Sequence, residues 1–307
     1  MTAWKCEELL EYNRQISRPK KSFFLFGARG TGKSTWLRKE FPEAKWVDLL
    51  DEQKFQSYLA NPGLFAEVLT AVDPGSWVVV DEIQRLPNLL NEVHRFIESK
   101  KLKFALSGSS ARKLRRTGVN LLAGRASKKH MCPFIPEELG KDFDLEKVLA
   151  FGSIPLVWES EDKKQSLEDY TQMYLKEEIQ TEAIVRNLPA FARFLPIAAL
   201  FHSQILSIYS LARDAEAHST TITGYIEVLE DTLLAFRLPA FRAKLRVKEK
   251  SHPKLYFIDS GIVRGLKRSF NGIVPEERGS LFEGWFVNYV RTFNFYHSIF
   301  DDMFYWA

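Results

Sequence analysis

The sequence predicts an α/β fold, a parallel sheet with helices on both faces, and three observations carry that reading. Short apolar runs alternate with helical stretches through the first 135 residues. The runs are apolar at successive positions rather than alternate ones, as strands covered on both faces require. Each ends in a polar cluster: residues 27–34, Asp81-Glu82 and residues 107–110. Parallel strands need crossover connections, and ligands of such sheets bind at the carboxyl ends of the strands.

A strand over residues 23–27 opens the series. A helix with Trp36 and Leu37 inward starts at Lys33 and stops by Pro42. A second strand is expected over 45–50. Two helical pieces follow, broken by the turn signal Asn61-Pro62-Gly63. The third strand, over 77–80, is closed by Asp81-Glu82. Leu86, Leu89, Leu90, Val93, Phe96 and Ile97 then recur at helical spacing. A fourth strand is expected over 102–107 and a fifth near 127–134.

The chain has 307 residues, which suits two or three domains. It is 45% hydrophobic and 27% charged, enough to bury cores and unlike a disordered chain. A formal net charge of +4 neither demands nor excludes nucleic acid. Cys6 and Cys132 form no disulfide framework or metal spacing and suit a reducing cytosol. The N-terminus is charged where a signal peptide needs an apolar core, and no uncharged apolar stretch is as long as a membrane span. The expectation is a soluble, cytoplasmic protein without a membrane partner.

Gly27-Ala28-Arg29-Gly30-Thr31-Gly32-Lys33-Ser34-Thr35 contains G-x-x-x-x-G-K-[ST], the phosphate-cradling loop. Its glycines allow a tight turn with N–H groups facing inward, and the following helix aims its dipole at anionic oxygens. Lys33 would neutralise β/γ-phosphate charge and Ser34 would ligate Mg²⁺. Asp81 follows the third strand as a second Mg²⁺ ligand. Glu82, next to it, can orient or deprotonate an attacking water, a part that an ATPase needs and a small-molecule kinase does not. An extra strand between those of the loop and of Asp81 would point Ser107 and Ser109 between Lys33 and Glu82. Ser109 is then either a γ-phosphate sensor, a helix cap, or both. An arginine from outside the loop often serves phosphoryl transfer. Candidates are Arg112, Arg115, Arg116 and Arg125, with Arg125 preferred. A finger supplied by a second copy would require a homo-oligomer.

Beyond residue 135 the signals are weaker. Short helices around Leu139, Val148 and Leu149, with a turn over 152–155, suggest a helical lid. A charged amphipathic helix is expected over 161–185, with Tyr170, Met173, Tyr174 and Ile179 inward. Leu206, Tyr209 and Leu211 fit one helix, and Ile222, Ile226, Leu229 and Leu233 fit the apolar stripe of the next. A hairpin then suggests a winged helix. The second helix presents Thr221, Thr223, Glu227, Glu230 and Asp231, a poor surface for reading base edges. In the wing, Arg242, Lys244, Arg246, Lys248 and Lys250 alternate with apolar residues, placing five cations on one strand face. That face suits either a DNA backbone or an edge strand guarded against aggregation.

Taken in order, GARGTGKST, VVVDEIQRLPNLL, FALSGSSARKL and LLAGRA resemble the prokaryotic AAA+-type ATPases of the AAA_14 class that carry a C-terminal DUF4143 region. FGSIP at 151–155, YLKEEI at 174–179, KLYFIDSG at 254–261 and LFEG at 281–284 extend the resemblance. It implies a nucleotide-binding core at 1–135, a lid at 136–185, a winged-helix module at 186–262, and a nuclease-like α/β region at 263–307. Such proteins continue past a segment like Phe304-Tyr305-Trp306 into an acidic strand, whereas this sequence ends at Ala307. The acidic and lysine positions of a nuclease are therefore missing, and nuclease activity is not expected. The leading expectation is a Mg²⁺-dependent ATPase that switches its C-terminal module. The alternative is a nucleotide-gated DNA-binding regulator with little hydrolysis.

Overall fold

Five strands pair in parallel in the order β2-β3-β4-β1-β5: β1 (Phe23–Phe26), β2 (Lys45–Asp48), β3 (Trp77–Asp81), β4 (Lys103–Gly108) and β5 (Ser127–His130). The computed structural model describes residues 12–110, 122–174, 187–241 and 252–306. The described residues form two compact units, one of Ile16–Met131 with Asp231–Leu233 and one of the remainder.

Every side chain of β1 is buried, because helices cover both sheet faces. On one face Phe23 meets Trp36, Phe41 and Trp77 at ring-centroid distances of 5.7–6.2 Å. Trp36 belongs to α1 (Lys33–Glu40). On the other face Phe24 and Phe26 join Val78, Val80, Phe104 and Leu106. Tyr58 of α2 (Glu52–Ala60), Phe65 and Leu69 of α3 (Gly63–Thr70), and Val93 and Phe96 of α4 (Leu90–Lys100) complete that core. β2 ends two residues earlier than expected. Asp48 accepts the Leu50 N–H at 2.8 Å, and Asp51 accepts the N–H groups of Gln53 and Lys54 to cap α2, so turn chemistry replaces the ladder.

The second unit holds four short helices, α5 (Pro136–Leu139), α6 (Leu145–Phe151), α7 (Pro155–Trp158) and α8 (Lys163–Asp169). Of the helix expected over 161–185, the described part runs as α-helix over Lys163–Asp169 and continues as a wide π-turn at Tyr170–Tyr174, with Tyr170 buried as expected; residues 175–185 lie outside the described residues. There Thr171 Oγ1 donates back to Leu167 O at 2.9 Å, a bond that loosens the regular ladder. Met173, Tyr174 and Ile179 side chains lie outside the described residues.

Next come α9 (Leu188–Leu200), β6 (Gln204–Ile205), α10 (Ile208–Asp214), α11 (Ser219–Asp231), β7 (Ala235–Leu238) and β8 (Lys254–Phe257). The three strands form an antiparallel sheet in the order β6-β8-β7. Leu211 is buried, but Tyr209 is exposed, against expectation. Ser207 caps α10 through the Ser210 N–H, and the start it sets turns Leu211, Ala212 and Ala215 inward. On α11, Ile222, Ile226 and Leu229 are buried, whereas Leu233 lies past the helix at φ 60° and packs on the core of the first unit. Glu230 does not present a bare charge: it pairs with Arg237 at 2.7 Å. The chain ends with α12 (Ser260–Leu266) and α13 (Pro275–His297).

FGSIP and KLYFIDSG meet 106 positions apart. Asp259 caps α12 through the N–H groups of Gly261 (2.8 Å) and Ile262, and also accepts the Ser153 N–H at 2.7 Å. Gly152 has φ 77°, and a Cβ there would lie 1.7 Å from Asp259 Oδ1. Burial pushes the Asp259 carboxyl up to about 6, although four backbone N–H groups oppose the rise. In LFEG, Glu283 accepts Lys254 Nζ and the Tyr256 hydroxyl, while a Cβ on Gly284 would strike His202. In both places a glycine lets a buried side chain, Asp259 or His202, approach the backbone closely.

Candidate nucleotide site

The loop after β1 is shaped by contacts that leave no room for side chains. A Cβ on Gly27 would lie 2.3 Å from Met131 O, and its N–H donates to Gly108 O at 3.3 Å. Gly30 and Gly32 take φ values of 76° and 84°, which favour glycine. Thr31, fully buried, donates its hydroxyl to Ala28 O at 2.7 Å. Lys33 is buried as well, and its Nζ donates to Gly27 O (2.8 Å) and Ala28 O (3.2 Å). A buried ammonium satisfied by two neutral carbonyls, at the N-terminus of α1, makes a strong site for an anion. Arg29 and Thr35 are exposed.

The tips of β3 and β4 complete the cluster. Ser34 Oγ donates to Asp81 Oδ2 at 2.6 Å, and Ser107 Oγ donates to Asp81 Oδ1. Desolvation pushes the Asp81 carboxyl upward; the hydroxyls of Ser107 and Ser34 oppose the rise, Glu82 adds to it and Lys33 opposes it. Glu82 sits at φ 56°, a left-handed conformation that costs a non-glycine residue about 1–3 kcal/mol. Its N–H donates to Ser107 Oγ at 3.1 Å, and its Oε2 accepts Ser109 Oγ at 3.3 Å. Thus β4 lies between β1 and β3 as expected, and Lys33, Ser34, Asp81, Glu82, Ser107 and Ser109 form one cluster at the carboxyl edge.

Gln84 is part of this site and was not foreseen. It is 3% exposed, and its Nε2 donates to Ser109 Oγ at 3.0 Å and to Glu82 Oε2. The left-handed turn at Glu82 folds it back, a conformation that the letters DEIQ do not announce. Arg125 is not brought to the loop of its own chain. It precedes β5 at the amino edge, where Ser127 pairs with Phe23, and forms an exposed ion pair with Glu98 of α4. Arg112, Arg115, Arg116 and the basic strand Arg242 to Lys250 lie outside the described residues.

The donor set fits a nucleotide with Mg²⁺. The cradle excludes even a methyl group at Gly27, and a hydroxyl beside a carboxylate offers the hard oxygens that Mg²⁺ takes together with phosphate. Among the described residues, no three His, Cys, Asp or Glu side chains gather into a metal cage. Nor is any helix among them long and apolar enough to cross a membrane.

Residues 19–140 match the family model of an AAA domain, AAA_14. Residues 142–271 match a domain of unknown function, DUF8612, a different model from the DUF4143 region that the sequence resemblance implied. Uncharacterized proteins of Mycobacterium bovis and Mycobacterium tuberculosis are each 23% identical over 269 residues. The match takes in 85% of this chain and 59% of theirs, so the chain spans well under two thirds of these relatives. Among solved structures, the Orc1 protein of Aeropyrum pernix in complex with DNA aligns over 82% of this chain and 87% of its own, at 13% identity and a TM-score of 0.38. A signal-transduction ATPase of Pyrococcus horikoshii with a tetratricopeptide-repeat sensor aligns over 92% and 46%, at 17% identity and a TM-score of 0.31. Such scores do not establish a shared fold along the whole chain. Residues 19–140 thus match an AAA domain in sequence, and the strand order with the phosphate loop after β1 gives them the fold of a P-loop nucleotide-binding domain.

Proposed function

We propose that the chain binds ATP and hydrolyses it with Mg²⁺, and that nucleotide state switches its C-terminal module. The observation that carries the hydrolytic reading is Glu82, a half-buried carboxylate fixed beside Asp81 in the same cluster as Lys33 and Ser34. Lys33 would leave the loop carbonyls for the β- and γ-phosphates, and the loop N–H groups would hold the remaining oxygens. Mg²⁺, held by Ser34 and Asp81, would offset phosphate charge. Water adds to the γ-phosphorus with Glu82 taking its proton. The bond from that phosphorus to the β–γ bridging oxygen breaks, and ADP and inorganic phosphate leave. Ser109, whose hydroxyl donates to Glu82, would support that carboxylate beside its readings as γ-phosphate sensor or helix cap.

The test is phosphate release by the wild type and by Glu82→Gln. Release should fall by about 10²- to 10⁴-fold in the variant, with ATP binding retained. A wild type that binds ATP and releases no phosphate would overturn hydrolysis and leave a binding switch.

The module boundaries proposed are a lid at 136–185, a winged helix at 186–262 and a nuclease-like segment at 263–307. The pairing of β7 with β8 after α10 and α11 supports the winged helix. A DNA contact rests on the cations between Arg242 and Lys250 and gains nothing from α11, whose Glu230 is paired with Arg237. Arg125, at the amino edge, fits a finger offered to a second copy of the chain.

A further inference from the structure

Gln84 is a buried polar side chain at the carboxyl edge that the phosphate loop and the two acids do not explain. Its Nε2 and Ser109 Oγ both donate to Glu82 Oε2, so donors from beyond β3 and from the end of β4 converge on one carboxylate oxygen. Glu82 Oε1 accepts no hydrogen bond among the described residues. Gln84 Oε1 is also buried without a hydrogen-bond partner there, and it lies against Gly108, where an added Cβ would be 2.6 Å away. Leaving a buried carbonyl unpaired is unfavourable. The amide nonetheless keeps this orientation, because turning it over would press its oxygen against the carboxylate.

We infer that Gln84 is a positioning residue for Glu82. It pins one carboxylate oxygen and leaves the other to take the proton of the attacking water. The inference rests on the hydrolytic reading above. Gly108 belongs to the same device, since the amide packs where a side chain would stand.

Gln84→Met keeps the length and packing of the side chain and removes the donor. Its kcat should fall by about 10- to 100-fold while the ATP Kd stays within about twofold. Gln84→Glu, which sets like charge against Glu82, should lose at least as much. A Gln84→Met protein with wild-type kcat overturns the inference. A second readout needs no turnover: the side-chain amide resonances of Gln84 in the nucleotide-free protein. One amide proton should lie downfield and move upfield in Glu82→Ala; an unmoved resonance overturns the link even where kcat has fallen. A wild type without phosphate release would sink the hydrolytic reading alone, and the amide spectrum would still decide whether Gln84 holds Glu82.

Discussion

Gly27 shows how little freedom the phosphate loop has. Its missing side chain is replaced by Met131 O on one side and Thr31 Oγ1, 2.9 Å from the would-be Cβ, on the other. Backbone on one flank cannot swing away as a long side chain would. Gly27→Ala should therefore displace the loop, weaken ATP binding by at least about tenfold, and lower stability by about 1–3 kcal/mol. Nucleotide titration and urea unfolding read the two effects separately. The gathering of Lys33, Ser34 and Asp81 at one edge was legible in the sequence because it depends on local spacing and one strand end. Gln84 was not legible, because its role depends on the left-handed backbone of Glu82, two residues before it.

At the level of elements, α12 and the turn after α6 are joined through one buried carboxylate. Asp259 has a folded pKa of about 6, above its ordinary value of 3.8. Its contribution to stability is therefore fully present below the unfolded value and is lost as pH rises through about 6. The amount is at most about 3 kcal/mol. Asp259→Asn should remove that dependence, so the difference in unfolding free energy between wild type and variant should change between about pH 4 and pH 7. A difference that stays flat would refute the assignment. The strands of the first unit were legible because an apolar run ending in a polar cluster marks each of β1, β3 and β4. The Asp259–Ser153 joint was not, because it spans 106 positions and leaves only glycines as its trace. Tyr209 was misplaced because Ser207 sets the start and hence the phase of α10.

For the whole molecule, the position of Arg125 separates two kinds of ATPase. At the amino edge of the sheet it has no part in its own loop, so any contact with a γ-phosphate needs another copy. If copies assemble that way, kcat per chain should rise with protein concentration. Arg125→Ala should abolish the rise, with an effect approaching the 10³- to 10⁵-fold typical of such arginines. Steady-state rates measured beside the sedimentation profile would show it; a rate independent of concentration and unchanged by the substitution would leave Arg125 as the partner of Glu98 alone.

The contact between Gly27 and Met131 also sets an order of events during synthesis. Met131 follows β5, and its N–H donates to Phe26 O at 2.7 Å, so the wall of the loop is among the last parts of the first unit to be made. A nascent chain leaving the ribosome carries the whole phosphate-loop motif about a hundred residues before it carries the wall that shapes it. Domains fold as units while synthesis proceeds at roughly 5–20 residues per second. At that rate the wall at Met131 follows the motif by roughly 5–20 s, so the loop can take the shape it has here only once the fifth strand has been made.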